Sequence, residues 1–107
     1  MIKIVYHRYE HRVTMTGHAE SDEFGHDLIC AACSMLAKTL AENVKDLEQN
    51  NAIENKTVVL ESGHAEIACR PVLWYGSIVT MLFDFFCTGF ALMAKDYPKF
   101  VTMEIQG

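Results

Sequence analysis

Residues 74–94 read WYGSIVTMLFDFFCTGFALMA, a run of 21 residues in which Asp84 is the only charge. A bilayer-spanning helix needs about 20 apolar residues, so the run has the length to cross a membrane. Its chemistry favours the inside of a globular domain instead: a central aspartate is costly in lipid, and no basic cluster flanks the run to set an orientation. A helix apolar all round must be covered on several sides. The expectation is a core helix that also feeds a subunit interface around Phe83 to Phe90, with no membrane partner.

The other elements must fold around this helix. The chain has 107 residues, half of them apolar, which suits one domain with a modest core over residues 1–107. Residues 2–7 and 12–18 alternate in polarity about a polar turn at Arg8 to His11, and read as two strands. Residues 56–61 and 65–70 read as a second hairpin about Ser62 and Gly63. Leu28 to about Gln49 has helical periodicity, and FVTMEI at 100–105 reads as a last strand. The order ββαββαβ predicts an α+β, two-layer domain: a mainly antiparallel sheet with two helices over one face.

The net charge of −5 and the nine scattered Lys and Arg provide no basic patch, so direct nucleic-acid binding is not expected. An acidic surface favours a basic partner. The opening residues, MIKIVYHRYEHRV, lack the unbroken apolar stretch of a secretory signal, so the expected location is cytoplasmic. There, four cysteines are expected to be thiols, metal ligands or a nucleophile rather than disulfides.

The chemistry concentrates in GHAESDEFGHDLIC, residues 17–30. On a helical wheel Ile29, Cys33, Leu36, Leu40, Val44 and Leu47 form one apolar stripe, which makes Cys33 a core residue. Cys30 lies off that stripe, on a row with Ser34, Ala37 and Ala41. With Asp27 as N-cap, Leu28, Ile29 and Cys30 are the first three helical residues, and the unpaired N–H groups of the helix start favour a thiolate at Cys30. Ser34, one turn on, is placed to donate to the sulfur or hold a substrate.

A cysteine nucleophile needs a base, and His18 and His26 are both near in sequence. His18 ends a predicted strand in which Val13 and Met15 share one face and Thr14, Thr16 and His18 the other. A side chain at a strand end beside a helix N-terminus is well placed to meet Cys30, because the two ends of one crossover loop lie close together. The direction of His26 is not fixed by its loop. The segment between them carries Glu20, Asp22 and Glu23 with Phe24 and Gly25: either a solvated acidic connection, or a lid that hinges at Gly25 and attracts a basic substrate. A different reading of the same side chains is a zinc site formed by His18, His26, Cys30 and Cys33, for which Cys30-x-x-Cys33 is an acceptable half-site. A third reading is a noncatalytic assembly or binding protein, which fits the acidic charge but leaves the pattern of these residues unexplained.

Gly17-His18-Ala19, a short loop, then Gly25, Asp27, Cys30-Ala31-Ala32 and Ser34 resembles the signature of the bacterial ribosomal-processing cysteine proteases, the Prp family. The likeness is specific over residues 17–34 and elsewhere extends to length, element order and hydrophobic pattern. It implies a catalytic pair of His18 and Cys30, no cofactor or metal, and a dimeric α+β fold. It also implies a substrate: the precursor of the large-subunit ribosomal protein numbered twenty-seven, whose short N-terminal extension is removed after a pair of aromatic residues. Cys33 departs from the pattern, standing where small residues are common, and brings a risk of Cys30–Cys33 oxidation.

Gly-His-Ala recurs at residues 63–65, in ESGHAEIAC. His64 and Cys69 are five apart, so in a strand they point to opposite faces and cannot form a dyad there. Cys69 and Cys87 are expected in the core.

Overall fold

The computed structural model describes residues 1–18 and 26–107, with the side chains of all these except His26 and Asp27. Strand β1 (Ile2–His7) runs through a single 3-10 turn, Arg8–Glu10, into β2 (Arg12–Thr16). Helix α1 (His26–Gln49) leads to β3 (Ile53–Glu61) and β4 (His64–Pro71); a second 3-10 turn, Leu73–Tyr75, opens α2 (Gly76–Asp96), and β5 (Val101–Gln106) ends the chain. The element order is the predicted ββαββαβ.

The five strands form one sheet in the order β3-β4-β2-β1-β5. Hairpin neighbours and the β2–β4 pair are antiparallel, whereas β5, arriving from α2, pairs parallel with β1. Register places the apolar alternates opposite one another on a single face: Ile4 with Met15 and Met103, Tyr6 with Val13, and Val13 in turn with Ile67. Both helices cover that face, and their buried residues join those strand residues in one core.

On α1 the buried residues are Ile29, Cys33, Ala37, Leu40, Ala41 and Val44, while Leu36 and Leu47 are only partly covered. The packed stripe is therefore rotated toward the row of Cys30, because Ala37 and Ala41 are small enough to lie flat on the sheet. Leu36 instead faces α2, where a Cβ on Gly89 would stand 3.0 Å from its Cδ2. A glycine there lets the two helices approach closely.

Helix α2 buries Val79, Phe83, Cys87 and Phe90. Phe83 and Phe90 are both 0% exposed, so the predicted interface residues at the two ends of 83–90 belong to the core of one chain. The apolar surface left outside is a different row, Ile78, Met81, Phe85 and Leu92, preceded by Leu73 and Trp74. Leu73–Asp96 is long and apolar enough to cross a membrane, but its polar centre is already engaged within the fold. Asp84 accepts the Tyr6 hydroxyl at 2.7 Å and two bonds from the Arg8 guanidinium at 3.1 and 3.0 Å. Arg8 holds the Asp84 carboxyl below its ordinary range, and burial, reinforced by Asp84, pushes the Tyr6 phenol up.

Several boundaries differ from the sequence expectation. Strand β2 stops at Thr16 rather than residue 18, and β3 starts at Ile53 rather than 56, ahead of a register irregularity between Ile53 and Asn55. Helix α1 begins at His26, so Asp27 lies inside its first turn and is not the N-cap; a cap requires non-helical backbone, which residues 26 and 27 do not have. Cys30 is accordingly the fifth helical residue, not the third.

Candidate active site

The break at the end of β2 decides where His18 goes. Thr16 pairs with His64 as the last rung of the β2–β4 ladder, and Gly17 follows with φ +93°, a left-handed conformation that suits glycine. Had the strand continued, alternation would have put His18 on the face away from both helices. The turn at Gly17 cancels that alternation. His18 instead lines a cavity of about 160 Å³ with Cys30, Cys33, Ser34, Glu61 and His64.

Backbone bonds fix the segment that carries His18. The Gly17 N–H donates to the Gly63 carbonyl at 2.9 Å, and the Met1 nitrogen donates to the His18 carbonyl at 2.6 Å. The imidazole lies against the β3–β4 turn, where a Cβ on Gly63 would be 2.5 Å from Nε2.

The other wall of the cavity is α1. Cys30 is partly exposed, while Cys33 is wholly buried and its thiol is pushed up to about 11, mainly by burial and secondarily by Cys30. Helical Cα–Cβ bonds tilt toward the helix N-terminus, so a cysteine one turn in leans back over the unpaired N–H groups at residues 26–28. That geometry supplies hydrogen-bond donors near a sulfur without Asp27 acting as the cap. Ser34 lines this cavity and also a neighbouring one of about 270 Å³. Met15, Ser34, Glu61 and Ser62 belong to both walls, so a continuous groove follows the seam between α1 and the β3–β4 hairpin.

Of the predicted site residues, His18, Cys30 and Ser34 come together. Glu20, Asp22, Glu23, Phe24 and Gly25, and the side chains of His26 and Asp27, lie outside the described residues. Three members of the zinc alternative, His18, Cys30 and Cys33, share the cavity, but Cys33 is a core residue whose burial opposes the thiolate a metal requires. Among the described residues no group of three or more His, Cys, Asp or Glu side chains is arranged to hold a metal ion. The sequence reading did not assign Glu61, Ser62, Gly63 and His64 to the site. The signal was present as the second Gly-His-Ala, whose glycine and histidine both line the cavity.

The family model of the cysteine protease Prp matches residues 1–102. The chain belongs to the Prp cysteine protease family. Among solved structures, the Streptococcus mutans protein SMU.848 is 28% identical, with 98% of this chain and 91% of that one covered and a TM-score of 0.69. The essential ribosomal processing protease Prp from S. aureus, solved with a substrate peptide, is 18% identical over 98% of this chain and 97% of that one, with a TM-score of 0.71. The same Prp has been solved with a covalently linked product peptide, at the same identity and TM-score. No curated protein matches the sequence.

Proposed function

We propose that this cysteine protease is an endopeptidase whose reacting groups are His18 and Cys30. The observation that carries the reading is that Gly17 turns His18 out of its strand and into the cavity that Cys30 lines from α1. His18 takes the proton of Cys30 and the thiolate attacks the scissile carbonyl, forming the C–S bond. Backbone N–H groups at the start of α1 stabilise the oxyanion. His18 then protonates the departing amine, and water, deprotonated by the same imidazole, releases the acyl group and restores the thiol. No step needs a cofactor or metal. Ser34 supports the pair from one turn along the helix, and Asp27 contributes negative charge to the first turn of α1, where it favours the helix.

The substrate we infer is the precursor of large-subunit ribosomal protein number twenty-seven, cut after a pair of aromatic residues before ribosome assembly in the cytoplasm. The ribosomal processing protease from S. aureus and its peptide complexes support this reading. The groove beside the cavity runs between Lys38 of α1 and Glu61 of the hairpin, over Met15, Leu60 and Ala65, and offers an extended peptide an apolar floor with charged rims. A homodimer belongs to the same proposal, formed through Ile78, Met81, Phe85 and Leu92 of α2. The test is to mix the protein with the extended ribosomal precursor and sequence the new N-terminus of the product. A single cut after the aromatic pair is expected; an intact precursor would overturn the substrate assignment.

A further inference from the structure

We propose that Gly63, in the β3–β4 turn, is a positioning residue that seats the His18 imidazole to take the proton of Cys30. The proposal rests on the reading of His18 and Cys30 as the reacting pair.

The turn is held from both sides. Strands β3 and β4 pair up to Glu61 and His64, leaving only Ser62 and Gly63 to reverse the chain. Gly63 has φ +77°, in the left-handed region. Its carbonyl accepts the Gly17 N–H, which fixes the main chain one residue before His18. Its missing side chain leaves the space the ring occupies: a Cβ there would stand 2.5 Å from Nε2, 3.1 Å from Cε1 and 3.2 Å from Cδ2. Backbone and ring of His18 are thus both located by one residue, 45 positions further along the chain.

A substituted side chain at this position forces the ring to move. Ordinary contact begins at 3.4 Å, so the imidazole must retreat by about 0.9 Å. The main chain stays in place, because the His18 carbonyl is held by Met1 and the Gly17 N–H by Gly63, so the displacement is taken up by rotation of the His18 side chain. A misplacement on the order of 1 Å costs about 100-fold in rate when it separates reacting groups. The loss should fall on kcat, since Gly63 contacts the base and does not supply the groove floor.

Two substitutions separate ring displacement from backbone strain. Gly63→Ala brings both the Cβ and the left-handed penalty. Gly63→Asn brings the same Cβ but tolerates the left-handed conformation, because Asn hydrogen-bonds locally there. Gly76→Ala is the control, as nothing lies within 4 Å of a Cβ at that position. Three measurements are made on the full chain: kcat and KM on an extended precursor peptide, thermal unfolding, and the pH profile of Cys30 alkylation by iodoacetamide.

The expected result is a fall in kcat of about 100-fold for both Ala and Asn at position 63, with KM changed less than about threefold. Gly63→Asn should unfold near the wild-type temperature, and Gly76→Ala should behave as wild type. The alkylation profile of each Gly63 variant should change as it does in His18→Ala. If Gly63→Asn recovers wild-type kcat, or its alkylation profile stays that of wild type while His18→Ala alters it, the positioning role is overturned and the pair stands. If His18→Ala leaves the profile unchanged, the pair fails and the positioning role falls with it.

Discussion

The main-chain N–H of Gly17 donates to the carbonyl of Gly63 at 2.9 Å, so the two Gly-His-Ala copies in the sequence are tied together at the end of the β2–β4 ladder. Gly17 is constrained further by its φ of +93° and by Met1, whose carbonyl oxygen a Cβ on Gly17 would strike. The obstacle is backbone and cannot rotate away. Gly17→Ala should therefore cost about 2 kcal/mol, combining left-handed strain of about 1–2 kcal/mol with the collision. In a domain of this size that is roughly 10 °C in Tm. A melting curve superimposable on wild type would refute this account of the turn.

The four cysteines should differ sharply in reactivity. Burial pushes the Cys33 and Cys69 thiols up to about 11 and the Cys87 thiol to about 12, the last with help from Asp84. All three are at most 5% exposed, whereas Cys30 lines an open cavity. Because the thiolate is the nucleophile, iodoacetamide at neutral pH should modify Cys30 first and leave the others intact until unfolding. Peptide mapping that finds Cys33 labelled as fast as Cys30 would contradict this placement. The same burial argues that Cys33 joins Cys30 in a disulfide only slowly under mild oxidation.

Acid should weaken the fold in two stages. Burial first, and then Arg8, lowers the His11 pKa below its ordinary 6.5, while its Nε2 lies 2.8 Å from the Thr80 hydroxyl. A depressed folded pKa means that the neutral ring is favoured by folding. Its contribution is present above pH 6.5 and is lost as pH falls through the folded value. Asp84, also depressed, contributes above its ordinary 3.8 and is lost only at lower pH. Urea unfolding between pH 7 and 3 should show both declines, and His11→Gln should remove the upper one. A flat profile between pH 7 and 5 in the wild-type protein would count against the His11 assignment.

Neighbouring phenylalanines of α2 should behave oppositely. Phe83 is 0% exposed and stacks on Tyr6 with ring centroids 6.3 Å apart; Phe85 is 67% exposed. Phe83→Ala should cost about 3–5 kcal/mol. Phe85→Glu should change the stability of the separated chain by less than about 0.5 kcal/mol, yet convert a dimer to monomers in sedimentation velocity if two copies meet on this face. An unchanged sedimentation coefficient with a dimeric wild type would move the interface elsewhere.

These contrasts also show what sequence pattern carries and what it leaves out. Periodicity located both helices and five strands, because each buries one face and the burial writes itself into spacing; Cys33, Cys69 and Cys87 were correctly placed in the core. It offered the helix around Phe83 to Phe90 as an interface without choosing a side, since a helix apolar all round does not say which side its own sheet will take; Phe83 and Phe90 face the core and Phe85 faces outward. The place of His18 at a strand end beside the helix start pointed to Cys30, while alternation alone put it on the face opposite Val13 and Met15; the left-handed Gly17 is what turns it into the cavity. The start of α1 was set one residue past Asp27 because Asp favours both a cap and a first turn, and spacing alone does not choose. Gly63 was invisible for a different reason: its importance is the space it leaves for a ring 45 residues earlier, and that is a fact of the β2–β4 pairing.

The central claim is that His18 and Cys30 act as one unit, and a double-mutant cycle on precursor cleavage tests it most directly. If the imidazole works only through the sulfur, Cys30→Ala, His18→Ala and the double variant should each lose nearly all activity and to the same extent, because removing either partner disables the other. Cleavage by Cys30→Ala at the wild-type rate, or losses for the two single variants that multiply in the double, would contradict it.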